Sequence, residues 1–181
     1  TAGDGRRPRG PSTSNGREGD KAAGGSVEMS RVMGRSLRGA VDLAAFGERL
    51  STVDCGGLQA DGGTRTAAIT GGMVALALAF RRLEKREKPA KNSIVSLVAA
   101  VSVGLVDGER VLDLDYEADH RAEVDMNVAM NARGEFVEIQ ASAEGKPFSR
   151  ERLRDLEDLA AAGIKKLFNA QRRAIRGANA A

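Results

Sequence analysis

A glycine-rich stretch of the sequence has the residue types that bind a phosphate-like anion. Residues 58 to 72 read LQADGGTRTAAITGG. The paired glycines, Gly62 and Gly63, let the backbone approach a ligand closely, and the helix start predicted just after them offers unpaired N–H groups. Thr64 adds a hydroxyl donor, and Arg65 adds a cation with a two-pronged grip on phosphate. The stretch therefore predicts a phosphate site at a helix start, and the alternative is a loop capped by Thr64 with Arg65 in solvent.

A second stretch, YEADHRAEVD at residues 116 to 125, concentrates carboxylates. Six residues of straight strand would hold Asp119 and Asp125 about 20 Å apart, and six residues of helix would put them on different faces. The two carboxylates can act together only if the chain turns between them. In that case they could share a divalent ion, or one could stay protonated and donate to a leaving oxygen. The alternative is an acidic hairpin loop paired with Arg121.

Arginine dominates the basic residues. Of the 28 basic residues 7 are lysines, which leaves 21 arginines. The planar guanidinium grips phosphate at two points, so this bias favours a nucleotide or nucleic-acid partner, although GC-rich coding produces the same bias. Arg31, Arg35 and Arg38 lie on the outer face of a predicted helix. They could contact nucleic-acid phosphates, a neighbouring subunit or water.

The elements that must position these residues are predicted from the spacing of apolar side chains. Helices are predicted over residues 27–43, 66–85 and 150–168, and strands over residues 49–59, 94–106, 110–116, 125–131 and 135–142. Turns at Asp107-Gly108 and at residues 132 to 134 join strands into hairpins. Ser149 is a good N-cap for the last helix. We therefore expect an α+β fold in which helices cover a mixed β-sheet.

The composition predicts a core of small aliphatic side chains. Hydrophobic residues make up 41 % of the chain and aromatic residues only 3 %. The core must therefore be built from Ala, Val, Leu and Ile, with Phe136, Phe148 and Phe168 as rare larger fillers. Cys55 falls within a predicted strand and is expected to be a small core residue.

The length of 181 residues fits one domain with loose ends. We expect a flexible, basic, Gly/Ser-rich tail or loop over residues 1–26, a domain over residues 27–176 and a disordered end over residues 177–181. No stretch of about 18 uncharged apolar residues predicts a membrane span. The single cysteine fits a reducing compartment, and we expect the cytoplasm, with an organelle as the alternative.

The two chemical stretches and several others resemble the ribonuclease PH family of phosphate-dependent 3′-to-5′ exoribonucleases. The likeness covers LQADGGTRTAAITGG, GRSLRGAVDL, GERLSTVDC, AAVSVGLVDG, LDLDYEADHRAEVDMNVAM, FVEIQASAEGKPFS and LAAAGIKKLFNAQ. It runs in order from about Gly34 to Gln171. Archaeal exosome core subunits and polynucleotide phosphorylase share the family's fold, but GGTRT together with YEAD and AEVD looks most like ribonuclease PH.

The resemblance implies an enzyme that removes nucleotides from RNA 3′ ends, such as those of tRNA precursors, and transfers each to inorganic phosphate, releasing a nucleoside diphosphate. It implies that Gly63, Thr64 and Arg65 hold the phosphate co-substrate. It implies a general-acid or metal role for Asp125, and metal binding and positioning for Asp119, with Mg2+ as the cofactor. Family members assemble as hexameric rings of dimers, so a homo-oligomer is expected.

The sequence also departs from the family pattern. Relatives carry several N-terminal strands that we expect this chain to lack, and an arginine that helps to hold phosphate where this chain has Gly25. Ser142 is a smaller departure from the usual Gly-Thr. These departures support a second interpretation, a catalytically degenerate relative that acts as an RNA-binding or structural subunit of a larger assembly. A third is a phosphate- or nucleotide-binding module that does not bind RNA.

Overall fold

The computed structural model describes the backbone of residues 16–46, 48–86 and 93–178. Its elements in chain order are α1 (Gly16–Arg38), α2 (Leu43–Phe46), α3 (Thr64–Arg86), β1 (Val98–Val106), β2 (Glu109–Leu112), α4 (Tyr116–Arg121), β3 (Val124–Asn131), β4 (Phe136–Ala143) and α5 (Arg150–Gly177). Helix α5 begins as predicted, because the Ser149 hydroxyl accepts a hydrogen bond from the N–H of Arg152 at 3.2 Å.

The strands form one sheet in the order β2-β1-β3-β4, and each pairing among the described residues is antiparallel. The turn between β1 and β2 has two residues, Asp107 and Gly108, with φ angles of 51° and 79°. Two positive φ angles match the twist of a two-residue hairpin, so the predicted turn is confirmed. The second predicted hairpin, β3 with β4, is also confirmed. The fold class is therefore α+β, as expected.

Helices cover both faces of the sheet. Strand β3 alternates between them: Val124, Met126 and Val128 are buried in a cluster with α5, whereas Asp125 and Asn127 are half-buried on the side of α1 and α3. Every residue of β1 is buried, since this central strand is covered on both faces. The candidate chemistry of Asp125 therefore lies on the side of the sheet that carries α3.

Polar side chains of the helices cover the edge of β1 that the short strand β2 leaves open. The Thr70 hydroxyl accepts from the N–H of Ala100 at 3.0 Å and donates to its carbonyl at 3.1 Å. The Gln171 amide donates to the carbonyls of Val98 and Thr70, each at 2.9 Å. Because buried backbone groups need partners, these bonds fix α3 and α5 against β1.

Helix α3 is apolar enough, and long enough, to cross a membrane by length and composition alone, with a mean hydropathy of 1.3. In the fold it is a core helix. Its buried residues Ile69, Met73, Leu76 and Phe80 pack in a cluster with residues of α1 and β1. This packing accounts for its hydropathy without a membrane.

The predicted strand over residues 49–59 is wrong. Among the described residues this segment pairs with no strand. An alternating pattern cannot form a strand unless a neighbour supplies the hydrogen bonds. Cys55, predicted as a core residue of that strand, is exposed, and its thiol donates to Sδ of Met33 at 3.5 Å.

Phe136 was also predicted incorrectly as a core residue. It is 48 % exposed, because it lies on the edge strand β4, whereas α5 packs against β1, β2 and β3. Phe168 is buried as expected, and Phe148 is partly buried against the same cluster. These phenylalanines are thus buried where they belong to the cluster that α5 covers, and exposed where α5 does not reach.

Helix boundaries differ from those predicted. Helix α1 begins at Gly16, well before residue 27, because Glu, Asp, Lys and Ala in the preceding stretch continue the helix without a proline. Residues 1–15 and 179–181 of the predicted tail and C-terminal end lie outside the described residues. Helix α5 extends to Gly177, beyond the predicted end at residue 168.

Candidate active site

Two loops that are distant in the sequence meet beside the sheet. Gly62 lies so close to the backbone before α4 that a Cβ at this position would collide with the carbonyl oxygen of Leu114. The N–H of Tyr116 donates to Oδ1 of Asp61 at 3.4 Å. Glycine permits this close approach, and the hydrogen bond to Asp61 links the glycine-rich loop to the loop before α4.

Ser102 of β1 orders the same junction. Its carbonyl accepts from the N–H of Asp113 at 2.8 Å, and its hydroxyl accepts from the N–H of Leu114 at 3.0 Å. Asp113 has a φ of 64°, an uncommon conformation for a residue other than glycine. The two hydrogen bonds that Ser102 accepts stabilise that turn, which leads the chain into α4.

Helix α3 begins at this junction. Gly63 has a φ of 59°, and its carbonyl accepts from the N–H of Ala67 at 2.9 Å and from the Thr66 hydroxyl at 2.8 Å. The N–H groups that precede Ala67 therefore lack intrahelical partners, and the positive end of the helix dipole lies there. Thr64 is exposed at this start. The helix start expected beside the paired glycines is in place, while anion binding there stays a prediction.

The chain turns between the two predicted acids. Helix α4 starts with Asp115 as its N-cap, whose carboxylate accepts from the N–H of Ala118 at 2.8 Å. It ends at Arg121, and β3 begins three residues later at Val124. This helical turn brings the carboxylate of Asp119 back towards that of Asp125.

The pKa of Asp125 reflects its burial and the charges near it. Burial raises its pKa above the ordinary value, the Asp119 carboxylate raises the pKa further, and Glu144 adds a smaller rise. A backbone hydrogen bond and the charge of Arg65 lower the pKa in part. Asp125 therefore holds a proton more readily than an ordinary aspartate, with a cation within electrostatic reach.

Arg65 points from the first turn of α3 across the sheet face that carries Asp125. Its Nη1 lies 3.5 Å from Oε1 of Gln140 on β4, and its Nη2 lies 3.9 Å from Oε2 of Glu28 on α1. Both contacts are long, so the guanidinium keeps hydrogen-bonding capacity for a ligand. In the alternative interpretation, these acids form a loop that pairs with Arg121. Arg121 instead pairs with Asp107, at 2.7 Å, and not with Asp119 or Asp125.

Two family models match this chain. The model described as "3′ exoribonuclease family, domain 1" matches residues 5–81, and the model described as "3′ exoribonuclease family, domain 2" matches residues 96–163. The chain belongs to the 3′ exoribonuclease family. The two candidate stretches are divided between these models, with Arg65 in the range that matches domain 1 and the acids in the range that matches domain 2.

Curated relatives carry the name Ribonuclease PH. One, from Corynebacterium kroppenstedtii, is 54 % identical over 155 residues, which cover 86 % of this chain and 61 % of the relative. Another, from Corynebacterium efficiens, is 52 % identical over 155 residues, covering 86 % of this chain and 63 % of the relative. The chain thus spans about three fifths of the length of these relatives. The predicted resemblance to ribonuclease PH is confirmed.

Solved structures support the fold. An Archaeoglobus fulgidus exosome with RNA bound to the active site is 20 % identical, with a TM-score of 0.61 over 81 % of this chain and 61 % of the exosome chain. An archaeal exosome core is 18 % identical, with a TM-score of 0.62 over 83 % of this chain and 64 % of that chain. Rice Rrp46 is 16 % identical, with a TM-score of 0.60 over 91 % of this chain and 69 % of that chain. At these identities the likeness shows the fold of the 3′ exoribonuclease family.

The two candidate carboxylates can be tested for their fit to a magnesium ion. In the described part of the chain no group of three or more His, Cys, Asp or Glu side chains is arranged for a metal. Mg2+ is usually held by one or two carboxylates together with substrate phosphates. Asp119 and Asp125 therefore form a fitting donor set, since the Asp119 carboxylate is near enough to raise the pKa of Asp125.

The three arginines predicted to bind RNA lie together on α1. Arg31, Arg35 and Arg38 are exposed and, with Val27 and Ser30, line an open depression of about 500 Å³. Arg35 is already engaged, because its guanidinium donates to both carboxylate oxygens of Glu138, at 2.8 and 3.4 Å. Its charge is therefore partly neutralised within the 3′ exoribonuclease fold.

Several residues around the candidate site were not predicted from the sequence. Ser102 orders the loop, Glu144 influences the pKa of Asp125, and Gln140 contacts Arg65. Asn127 lies opposite Gln140 across the β3–β4 pair. The alternation of β3 and β4 was a usable signal, since residues at even spacing from Asp125 share its face.

Proposed function

We propose that this chain is a phosphorolytic 3′-to-5′ exoribonuclease that trims RNA 3′ ends, with tRNA precursors as the substrate class. The names of its 52–54 % identical relatives support the activity. The observation that carries the proposal is that Asp125 is half-buried on the sheet face on which Arg65 contacts Gln140, with the Asp119 carboxylate near enough to raise its pKa. A proton donor and an anion-binding cation placed on one face are what phosphorolysis requires.

The phosphate side of the reaction is assigned to the start of α3. Orthophosphate binds to the free N–H groups after Gly63, the hydroxyl of Thr64 and the guanidinium of Arg65. These groups offset the repulsion between two anions, free phosphate and the terminal phosphodiester. They also orient one phosphate oxygen in line with the bond that breaks.

The acid side of the reaction is assigned to Asp125. A phosphate oxygen attacks the phosphorus of the last phosphodiester, and the bond from that phosphorus to the 3′ oxygen of the preceding nucleotide breaks. Asp125 gives its proton to that oxygen, so the products are a nucleoside diphosphate and an RNA shorter by one nucleotide. Its raised pKa favours the protonated form that this step needs.

Magnesium is proposed as the cofactor, held by Asp119. Asp125 would be its second ligand only in the ionised form, as the alternative to its role as proton donor. A bound ion would neutralise charge on the phosphate oxygens. Arg31 and Arg38 are proposed to contact the RNA backbone, and Arg35 to contribute less because of its ion pair with Glu138. A hexameric ring of dimers in the cytoplasm is proposed as the working form, by analogy with the family.

The test is incubation of the chain with a 3′-tailed RNA, Mg2+ and orthophosphate. We expect nucleoside diphosphates whose release requires phosphate, and an Arg65→Lys variant with roughly tenfold weaker use of phosphate, since lysine lacks the two-pronged grip. Nucleoside monophosphates, or product formation without phosphate, would rule out the proposal.

The second candidate is a degenerate subunit that binds RNA without cleaving it. It is favoured by Gly25, a position within α1 at which the family resemblance predicts an arginine. A Gly25→Arg variant separates the two candidates. A large gain in phosphate-dependent cleavage would indicate an impaired enzyme, and no gain together with retained RNA binding would indicate a scaffold.

A further inference from the structure

Strand β4 contacts two arginines through neighbouring positions on one face. Glu138 receives Arg35 of α1, and Gln140, two residues further on, receives Arg65 of α3. The two contacts differ in length. The Arg35 contact is a short ion pair at 2.8 Å, whereas the Arg65 contact is a long one at 3.5 Å.

The two acceptors also differ in charge. A carboxylate at position 138 neutralises the guanidinium that it binds, whereas the Gln140 amide accepts a hydrogen bond and leaves the positive charge of Arg65 in place. The other contact of Arg65, with Glu28 at 3.9 Å, joins partly exposed side chains and neutralises little of that charge.

The cross-strand neighbour of Gln140 is neutral as well. The residue directly opposite it on β3 is Asn127, a second amide. Arg65, Asn127, Glu138 and Gln140 line the same small cavity, of about 20 Å³, which is too small for phosphate. The Glu138 carboxylate in this cavity is paired with Arg35, so the side chain of the sheet that contacts Arg65 is the neutral amide of Gln140.

We propose that Gln140 is a positioning residue for phosphate binding. Its amide oxygen holds the Arg65 guanidinium over the sheet, and its lack of charge reserves that guanidinium for an incoming phosphate. This inference rests on the proposed function insofar as phosphate is the ligand of Arg65. It adds the requirement that the side chain at position 140 accepts a hydrogen bond and carries no charge.

The test uses the full chain and measures binding of radiolabelled orthophosphate by equilibrium dialysis, together with KM and kcat for phosphate. Gln140→Glu keeps the shape of the side chain and adds a negative charge, and Gln140→Met removes the hydrogen-bond acceptor without adding charge. Glu138→Gln is the matched control, because it changes the charge of the acceptor that binds Arg35 instead of Arg65. We expect Gln140→Glu to weaken phosphate binding about fivefold or more and to raise KM for phosphate rather than KM for RNA. We expect a smaller loss of phosphate binding for Gln140→Met and no loss of phosphate binding for Glu138→Gln.

The outcomes separate this inference from the proposed function. If the unmodified chain binds phosphate and Gln140→Glu binds it equally well, the inference is overturned. If the binding losses appear as expected but no RNA is phosphorolysed, the inference holds and the proposed function fails. If the unmodified chain does not bind orthophosphate, both fail.

Discussion

The two faces of strand β3 serve different purposes although they share one backbone. On the α5 side, Val124, Met126 and Val128 are almost fully buried among apolar side chains. On the α3 side, Asp125 and Asn127 alternate with them and remain half-buried and polar. The first face stabilises the folded state because it removes apolar surface from water. The second face contributes less to stability, because it keeps a polar carboxyl where a substrate can reach it.

This difference separates stability from chemistry within one strand. Substitutions on the α5 face should act on folding, and substitutions on the α3 face should act on activity. The cost of the polar face is visible in Asp125, whose pKa is raised by burial and by Asp119, so that its ionised form is less favourable in the folded state.

The largest expected effect is on activity. Asp125→Asn removes the proposed proton donor and should lower phosphorolysis about 1,000-fold, since positioned acids contribute roughly 10²–10⁴-fold. Release of nucleoside diphosphate from a 3′-tailed RNA measures the loss. Asp155→Asn, on α5 and remote from this face, is the control and should retain activity. Equal activity of the two variants would contradict the division between the faces.

The next effect is on stability. Met126 is fully buried, so Met126→Ala should lower the free energy of unfolding by about 3 kcal/mol. Asn127→Ala, one residue along and on the other face, should cost less than about 1 kcal/mol. Urea denaturation of both variants provides the comparison. A cost for Asn127→Ala as large as that for Met126→Ala would show that both faces support folding equally.

The smallest effect is a pH dependence. A raised folded-state pKa means that Asp125 binds its proton more tightly in the folded chain than in the unfolded chain. Stability from this group is present at low pH and is lost as pH rises from the unfolded value of about 3.8 through the raised value. Asp125→Asn cannot titrate, so its midpoint of thermal unfolding should exceed that of the unmodified chain by a few degrees at most at neutral pH. The difference should vanish towards pH 3, and a difference that is constant with pH would refute this account.

Local chemistry made several features predictable from the sequence. The Asp107-Gly108 turn and the Ser149 cap depend on residues close to one another in the chain, and both are present in the structure. A turn between Asp119 and Asp125 was only the condition on which the two acids could act together, and α4 supplies it. In each case a short stretch contains all the information that its conformation requires.

Features that depend on distant partners were not predictable. Residues 49–59 alternate like a strand, but pairing requires a neighbour that the pattern cannot name. Phe136 is exposed because α5 does not cover the edge strand. Gln140 meets Arg65 only in the assembled fold, in which the β3–β4 register sets Gln140 opposite Asn127 and α3 brings Arg65 to it. That register is a property of the assembled sheet rather than of either segment.

The contact between Gly62 and the backbone at Leu114 has a consequence for how the site responds to strain. Because there is no room even for a Cβ between them, the loop that carries Gly62 cannot move towards α4 without pushing the backbone at Leu114 and Asp115. A displacement of α3 in that direction would therefore move the start of α4, which carries Asp119, along with Arg65.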